Sequence, residues 1–124
     1  MATLPQPADR DIYSIMRDLK WTATEKAIAR RAFERVLRQE LDAAIESTKQ
    51  RAAKIREVSE LWELEHHLTQ LRKQIDRKYE YKYNTLVILF ADLVREGKLN
   101  IDELRGLGEE KLAHIRRHAG RSAA

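Results

Sequence analysis

The 124-residue sequence contains no cysteine, only two prolines and four glycines, and 6% aromatic residues. The lack of cysteine excludes a disulfide framework and a thiolate metal site. Few helix-breaking residues together with 35% charged residues are typical of a helical protein. No apolar run reaches the roughly 18 residues that a membrane-spanning helix needs, and the first residues do not resemble a signal peptide. We therefore expect a soluble, cytoplasmic chain with no membrane partner.

The sequence also lacks a large excess of either positive or negative charge. The net charge of +4 is the small difference between 24 basic and 20 acidic residues. A nucleic-acid-binding domain usually carries a more one-sided basic patch, so we expect solvated helix faces and no nucleic-acid partner. The alternative, a basic helical protein that binds DNA or RNA, would show binding that falls steeply with salt.

A long helix is predicted to begin at Thr22. Thr22 and Glu25 have the spacing of a capping box, in which each side chain satisfies a backbone N–H of the other residue. Apolar residues then recur three and four positions apart as far as Ile55, which is the period of one helix face. Such a helix needs a second helix over its apolar stripe, supplied by its own chain or by another copy.

A second helix is predicted to follow a break near Val58 and Ser59, since serine is a good N-cap. Its apolar residues are spaced three and four apart, as in a coiled-coil seam. They are Leu61, Leu64, Leu68, Leu71 and Ile75.

The remaining segments predict a smaller helical part. Residues 78–84 suggest a corner, and residues 85–94 form an apolar run that fits a buried helix ending at Gly97. A cap at Asn100–Glu103 and an amphipathic helix over residues 109–119 follow. We predict three segments: an N-terminal extension (1–20), which contributes a short amphipathic turn that docks on the body, long helices (21–80) and a C-terminal helical head (81–124).

The motifs for catalysis and metal binding are incomplete. Glu63 and His66 have the E-x-x-H spacing of carboxylate-bridged di-metal sites, but such sites need a second pair and two further glutamates. No G-x-S-x-G motif or glycine-rich phosphate loop is present. We therefore expect no enzyme activity, no metal and no cofactor.

A mixed stripe runs one residue beyond the leucine seam, again spaced three and four apart. Its members are Trp62, Glu65, Thr69, Arg72 and Asp76. One interpretation is a solvent-facing edge with a Glu65–Arg72 contact inside the helix. The other is an interface, because Trp and Arg most often dominate binding energy and arginine can bind a facing carboxylate through two hydrogen bonds.

Four segments in order resemble the fluorescence recovery protein family of cyanobacteria. They are W-x-x-T-E (21–25), AF…RQEL (32–41), LWEL…LR..ID.KY (61–79) and FA.LV.EG.L…EL.GL…K…I (90–115). No single motif is diagnostic, but the ordered set spans roughly residues 21–116.

The resemblance implies an all-α fold in which long antiparallel helices form a homodimer and a small C-terminal head binds a partner. The implied partner is the photoactivated orange carotenoid protein, whose return to the dark-adapted form the family accelerates without acting as an enzyme. The family's interface tryptophan and arginine match Trp62 and Arg72.

Three parts of the pattern differ from the family. Glu65-His66 stands where the family reads His-Asp, and Ile88 and His114 align with a head phenylalanine and a C-terminal lysine. This favours, as an alternative, a helical adaptor dimer with a different protein partner. The expected dimer-interface residues are Trp62, Glu65, His66, Thr69, Arg72 and Asp76. The expected partner-binding residues of the head are Ile88, Leu89, Lys111 and His114.

Overall fold

A computed structural model of the chain describes residues 12–120. Within this range the fold is all-helical, which confirms the predicted class. The elements are α1 (Ile12–Arg17), α2 (Ala23–Ala53), α3 (Val58–Lys78), α4 (Leu86–Arg95), a 3₁₀ helix (Ile101–Leu104) and α5 (Glu109–Gly120). These residues form two compact units. We call Phe33–Glu80 the hairpin unit, and residues 12–32 with 81–120 the terminal unit.

The predicted capping box opens α2. The backbone N–H of Glu25 donates to Thr22 Oγ1 over 3.1 Å, and the N–H of Thr22 donates to Glu25 Oε1 over 2.9 Å. The first backbone N–H groups of a helix have no carbonyl partner within the helix. Here two of them donate to side-chain oxygens instead. The helix then continues without interruption for 31 residues.

The break between α2 and α3 lies slightly earlier than the sequence indicated. Helix α2 ends at Ala53, and Glu57 rather than Ser59 occupies the N-cap of α3. The Glu60 carboxylate accepts from the N–H of Glu57 over 3.2 Å. A glutamate at the third helical position can therefore stabilise the N-terminus of α3 without a serine at the N-cap.

Tyr79, directly after the last residue of α3, contacts two residues of α2. Its ring packs edge-on against Phe33, with the ring centroids 5.9 Å apart, and its hydroxyl donates to the Glu40 carboxylate. The last turn of α3 therefore lies beside the portion of α2 around residues 33–40. The two helices run antiparallel, as predicted.

The core of the terminal unit is built around α4, which packs against α5. As its nearly continuous apolar sequence predicted, α4 buries most of its circumference. Its buried residues are Leu86, Val87, Leu89, Phe90, Ala91 and Leu93. Met16, Leu99, Leu104 and Ile115 are buried in the same unit.

Gly97 ends α4, as predicted. Its φ of 76° lies in the left-handed region that glycine adopts at little cost. The N–H groups of Gly97 and Lys98 donate to the carbonyls of Val94 and Leu93 over 3.1 and 2.9 Å. This pair of bonds is the Schellman arrangement. Further along, the predicted cap at Asn100 begins the 3₁₀ helix, because Asn100 Oδ1 accepts from Asp102 N over 2.9 Å.

Across residues 12–120, no helix combines the length and the hydropathy that crossing a bilayer requires.

The two glycines with positive φ predict different costs of substitution. A Cβ at Gly106 would lie 2.5 Å from Ile28 Cδ1, whereas a Cβ at Gly97 would meet nothing within 4 Å. We expect Gly97→Ala to lower the free energy of unfolding by about 1 kcal/mol through backbone strain alone. Gly106→Ala should cost more than Gly97→Ala, because its φ of 106° lies further from the conformation that other residues adopt and because the Ile28 side chain must also shift. Urea denaturation measures both, and adding Ile28→Val to Gly106→Ala should recover part of the loss. Equal costs for the two glycine variants would contradict this account.

Candidate functional site

The exposed large apolar side chains of residues 14–120 all lie in the hairpin unit. They are Leu41, Ile45, Val58, Leu61, Trp62 and Leu68. Trp62 leaves 61% of its surface exposed, although tryptophan is usually well buried in a folded protein. An apolar surface grouped on one part of a molecule is typical of an interaction site.

The stripe predicted from the sequence lies on α3 and faces solvent. Trp62, Glu65, Thr69, Arg72 and Asp76 are all exposed. Within the helix, Arg72 Nε lies 3.8 Å from Asp76 Oδ2, and Thr69 Oγ1 donates to the Glu65 carbonyl over 3.0 Å. An exposed ion pair of this kind contributes little to stability. Arg72 therefore has a neighbour, but its side chain remains accessible to a binding partner.

Two shallow grooves border this part of α3. The first, of about 360 Å³, follows the leucine seam and is lined by Leu61, Leu64, Glu65, Leu68, Thr69 and Arg72. The second, of about 570 Å³, is lined by Arg51, Trp62, Glu63, His66, His67 and Gln70. Each predicted interface residue except Asp76 thus lines one of the two grooves.

The His and carboxylate side chains near these grooves do not form a metal site. Across residues 12–120, no three His, Asp or Glu side chains are grouped so that they could hold a metal ion.

In the terminal unit, Glu25 and Lys111 form a buried ion pair. Glu25 Oε2 lies 2.9 Å from Lys111 Nζ and also accepts from the N–H of Gly108 over 2.8 Å. Lys111 Nζ donates in addition to the Lys20 carbonyl. The side chains of Glu25 and Lys111 expose only 8% and 7% of their surfaces. One carboxylate and one ammonium therefore connect the start of α2, the residues before it and the start of α5.

These contacts control the protonation of Glu25. Burial alone would raise the pKa of its carboxyl, but the hydrogen bonds from the Thr22 and Gly108 N–H groups and the Lys111 ammonium outweigh that effect. The pKa falls from its ordinary value of 4.5 to about 2. Glu25 thus stays ionised near neutral pH, which keeps the buried ammonium compensated.

A row of three aromatic rings with a cation at each end lies beside this pair. Lys111 Nζ lies 4.9 Å from the Trp21 ring centroid, and Trp21 packs on Tyr83 with centroids 5.3 Å apart. Tyr83 contacts Tyr81, whose ring lies 3.9 Å from the Arg30 guanidinium. Such contacts contribute roughly 0.5–1 kcal/mol each at partly exposed sites. They hold the corner after α3 against the start of α2.

The residues predicted to bind a partner through the head differ in accessibility. Leu89 and Lys111 are buried, whereas Ile88 and His114 are half-buried. Among the described residues, no hydrogen-bond partner contacts His114 Nδ1, which lies below the surface. Ile88 and His114 therefore retain some accessible surface, whereas Leu89 and Lys111 do not. The assignment of all four to partner binding stays a prediction.

Comparison with known proteins decides the family. The family model for the photoprotection regulator fluorescence recovery protein matches residues 21–119. The chain belongs to the fluorescence recovery protein family.

Individual relatives agree. The fluorescence recovery protein of Synechocystis sp. PCC 6803 is 29% identical over 96 residues, which cover 77% of this chain and 88% of that protein. The solved structure of the Fremyella diplosiphon protein is 36% identical, with a TM-score of 0.75. The solved Synechocystis structure is 29% identical, with a TM-score of 0.76. Each match to a structure covers 81% of this chain and 98% of the other. Helix α1 precedes the region that the family model matches.

Sequence reasoning missed the Glu25–Lys111 pair. The capping box assigned Glu25 a local role. Its second carboxylate oxygen, however, accepts hydrogen bonds from Gly108 and Lys111, which lie 83 and 86 positions further along the chain. The sequence offers one weak signal, a lysine in the first turn of α5. Cations are disfavoured near a helix N-terminus, so a lysine there suggests an external carboxylate.

The lowered pKa of Glu25 predicts a specific pH dependence. Because the folded pKa lies below the unfolded one, the stabilisation is complete above about pH 4.5 and is lost as pH falls toward 2. We expect Glu25→Gln to lower the free energy of unfolding by about 3 kcal/mol at pH 7. Denaturation at pH 7 and pH 3 should show this difference shrinking at the lower pH. Glu46→Gln, at an exposed position on α2, is the control and should change little. A difference that stays constant between the two pH values would refute the role of the ionised carboxylate.

Proposed function

We propose that the chain is a non-enzymatic cytoplasmic regulator that needs no cofactor. It forms a homodimer through the hairpin unit, binds photoactivated orange carotenoid protein through the head and accelerates that protein's return to the dark-adapted form. The observation that carries the proposal is the family match over residues 21–119, which spans both the hairpin unit and the α4–α5 core.

The exposed apolar surface supports the homodimer. The leucine seam of α3 is only partly used within one chain, since Leu64 is buried while Leu61 and Leu68 are exposed. A second copy, placed against the same stripe, would cover Trp62 and bring Arg72 near carboxylates such as Glu65 on the facing helix. An arginine that meets a carboxylate in this way gains orientation as well as energy.

The head supports partner binding for a different reason. A protein without a cofactor can accelerate another protein's relaxation only by binding an intermediate or transition state more tightly than the starting state. A rigid surface does this best, because little conformational freedom is lost when it binds. The buried core of α4 and the Glu25–Lys111 pair favour rigidity in the terminal unit, which carries Ile88 and His114.

Glu65-His66 favours a second candidate, a helical adaptor dimer for a different protein partner. These two residues replace the His-Asp pair of the family pattern, and both line the grooves described above.

Trp62→Ala tests the dimer. We expect a loss of about 2 kcal/mol or more in dimer affinity, or roughly 30-fold in the dissociation constant, because a central tryptophan commonly dominates an interface. Sedimentation equilibrium measures this constant. Val58→Ala is the matched control, because Val58 is 68% exposed on the same helix and lines neither groove. Arg72→Ala should have a smaller effect than Trp62→Ala. An unchanged dimer in Trp62→Ala would rule out this placement of the interface.

The partner is tested by mixing the chain with photoactivated orange carotenoid protein and timing the recovery of the orange form. We expect recovery to accelerate and to saturate with increasing concentration of the chain. Ile88→Ala should slow the recovery, whereas Ile101→Ala, a second half-buried isoleucine of the terminal unit, should not. No acceleration at saturating concentration would favour the adaptor with another partner.

A further inference from the structure

Positive charge is concentrated in the terminal unit of the protein. That unit carries twelve Lys and Arg residues against eight Asp and Glu residues, whereas the hairpin unit carries ten of each kind. The terminal unit therefore accounts for the net charge of +4 of the whole sequence. An excess of one sign raises the local concentration of partners that carry the opposite sign.

The excess is unevenly distributed within this unit. At the end of α4 and in the segment before α5, basic residues lie beside carboxylates. The ion pairs are Arg95–Asp92 at 2.7 Å, Lys98–Glu96 at 3.4 Å and Arg105–Asp102 at 4.0 Å. Residues 21–32 and 81–91, in contrast, contain four Lys and Arg residues and a single carboxylate, Glu25, which is buried against Lys111. These two ranges thus hold most of the positive excess.

Two tyrosines gather two of these cations on one surface. Lys26 Nζ lies 5.3 Å from the Tyr83 ring centroid, and the Arg30 guanidinium lies 3.9 Å from that of Tyr81. The two rings are 5.3 Å apart, and the Tyr81 hydroxyl donates to the Lys26 carbonyl over 3.5 Å. Lys26 and Arg30 are exposed, and both tyrosines are half-buried. We call these four residues the cationic corner.

The geometry of the cationic corner suits carboxylates. Stacking on Tyr81 uses the face of the Arg30 guanidinium, whereas a carboxylate binds the N–H groups at its edge. Lys26 lies four positions before Arg30 on α2, or about 6 Å along the helix axis. Alternate residues of an extended peptide are separated by roughly 6.6 Å, so carboxylates at such positions can meet both cations.

The composition of the cationic corner favours a protein over a nucleic acid. Tyrosine and arginine are among the residues that most often dominate the energy of protein interfaces. Binding to nucleic acid depends instead on the number of phosphates that cations neutralise, and this surface offers only Lys26 and Arg30 beside its rings.

We propose that the cationic corner binds an acidic segment of a partner protein. One carboxylate binds the Arg30 guanidinium and a second binds the Lys26 ammonium, while Tyr81 and Tyr83 hold the two cations in place. The four residues belong neither to the predicted dimer interface nor to the predicted partner-binding set of the head. The site therefore goes beyond the proposed function and is testable without the orange carotenoid protein.

The charge requirement is tested by fluorescence anisotropy with a fluorescein-labelled peptide of four Glu-Thr repeats. Salt at about 0.15 M screens charges further than roughly 8 Å away. We expect the double variant Lys26→Gln/Arg30→Gln to raise the dissociation constant at least about fivefold. Arg116→Gln/Arg117→Gln removes the same charge from exposed positions of α5 and should leave the constant within about 1.5-fold.

Two further comparisons identify the chemistry. Lys26→Arg/Arg30→Lys keeps both charges and should retain most of the affinity, and a peptide of Gln-Thr repeats should not bind. Equal losses in the two double glutamine variants would overturn the proposal, because the overall charge of the unit would then be sufficient. Equal affinity for the Gln-Thr peptide would overturn it as well.

Carbodiimide cross-linking locates the peptide on the original chain. The reagent activates a peptide carboxylate, a nearby lysine amine displaces it to form an amide, and the reagent leaves as a urea. Mass spectrometry should find Lys26 coupled at least about fivefold more than exposed Lys98 of the same unit. Coupling spread evenly over the two lysines would overturn the proposal, and this result does not depend on the stability of any variant.

Competition distinguishes the class of partner. Unlabelled Glu-Thr peptide should displace the labelled peptide at a lower concentration than oligothymidylate of equal charge does. Displacement by the oligonucleotide at a concentration about tenfold below that of the peptide would overturn the assignment to a protein segment and favour a nucleic acid.

Discussion

The terminal unit depends on the contact between the Glu25 carboxylate and the Lys111 ammonium. Each charge would be costly to bury alone, and each is satisfied by the other together with backbone groups at residues 20, 22 and 108. The pair fixes where α2 begins relative to α5 and holds Trp21 beneath a cation. A core of aliphatic side chains alone would allow α2 and α5 to shift along one another. Hydrogen bonds, which require fixed directions, do not allow this shift.

The hairpin unit, in contrast, leaves much of its apolar surface exposed. Few of its large apolar side chains are buried. Phe33, Val36, Leu64 and Tyr79 are, while leucine, isoleucine and tryptophan side chains further along α2 and α3 face outward. A two-helix unit encloses too little volume to bury the apolar stripes of both helices. Stripes left uncovered in this way would favour the homodimer that we propose, whereas α4 of the terminal unit already buries most of its apolar residues.

Local signals in the sequence predicted local structure well. Thr22–Glu25, Asn100 and Gly97 act through neighbours within a few residues, so their spacing was sufficient to place the ends of helices. The prediction that Ser59 caps α3 was wrong, because Glu57 and Glu60 form the capping box at the start of that helix. The Glu25–Lys111 pair and the burial of Lys111 could not be predicted, because they arise from how elements far apart in the sequence pack. For the proposed interface, the pattern identified which residues share an edge of α3, but only the three-dimensional structure shows that this edge is uncovered within one chain.

The two tryptophans have a practical consequence for spectroscopy. Trp62 lies in the hairpin unit and is open to water, whereas Trp21 is packed on Tyr83 in the terminal unit. Indole emission shifts to shorter wavelength when water is removed, so each ring is a native optical probe of its own unit. A phenylalanine at either position would isolate the signal of the other ring without an attached dye. The chain thus carries one reporter for events on the paired helices and a second for events around α5.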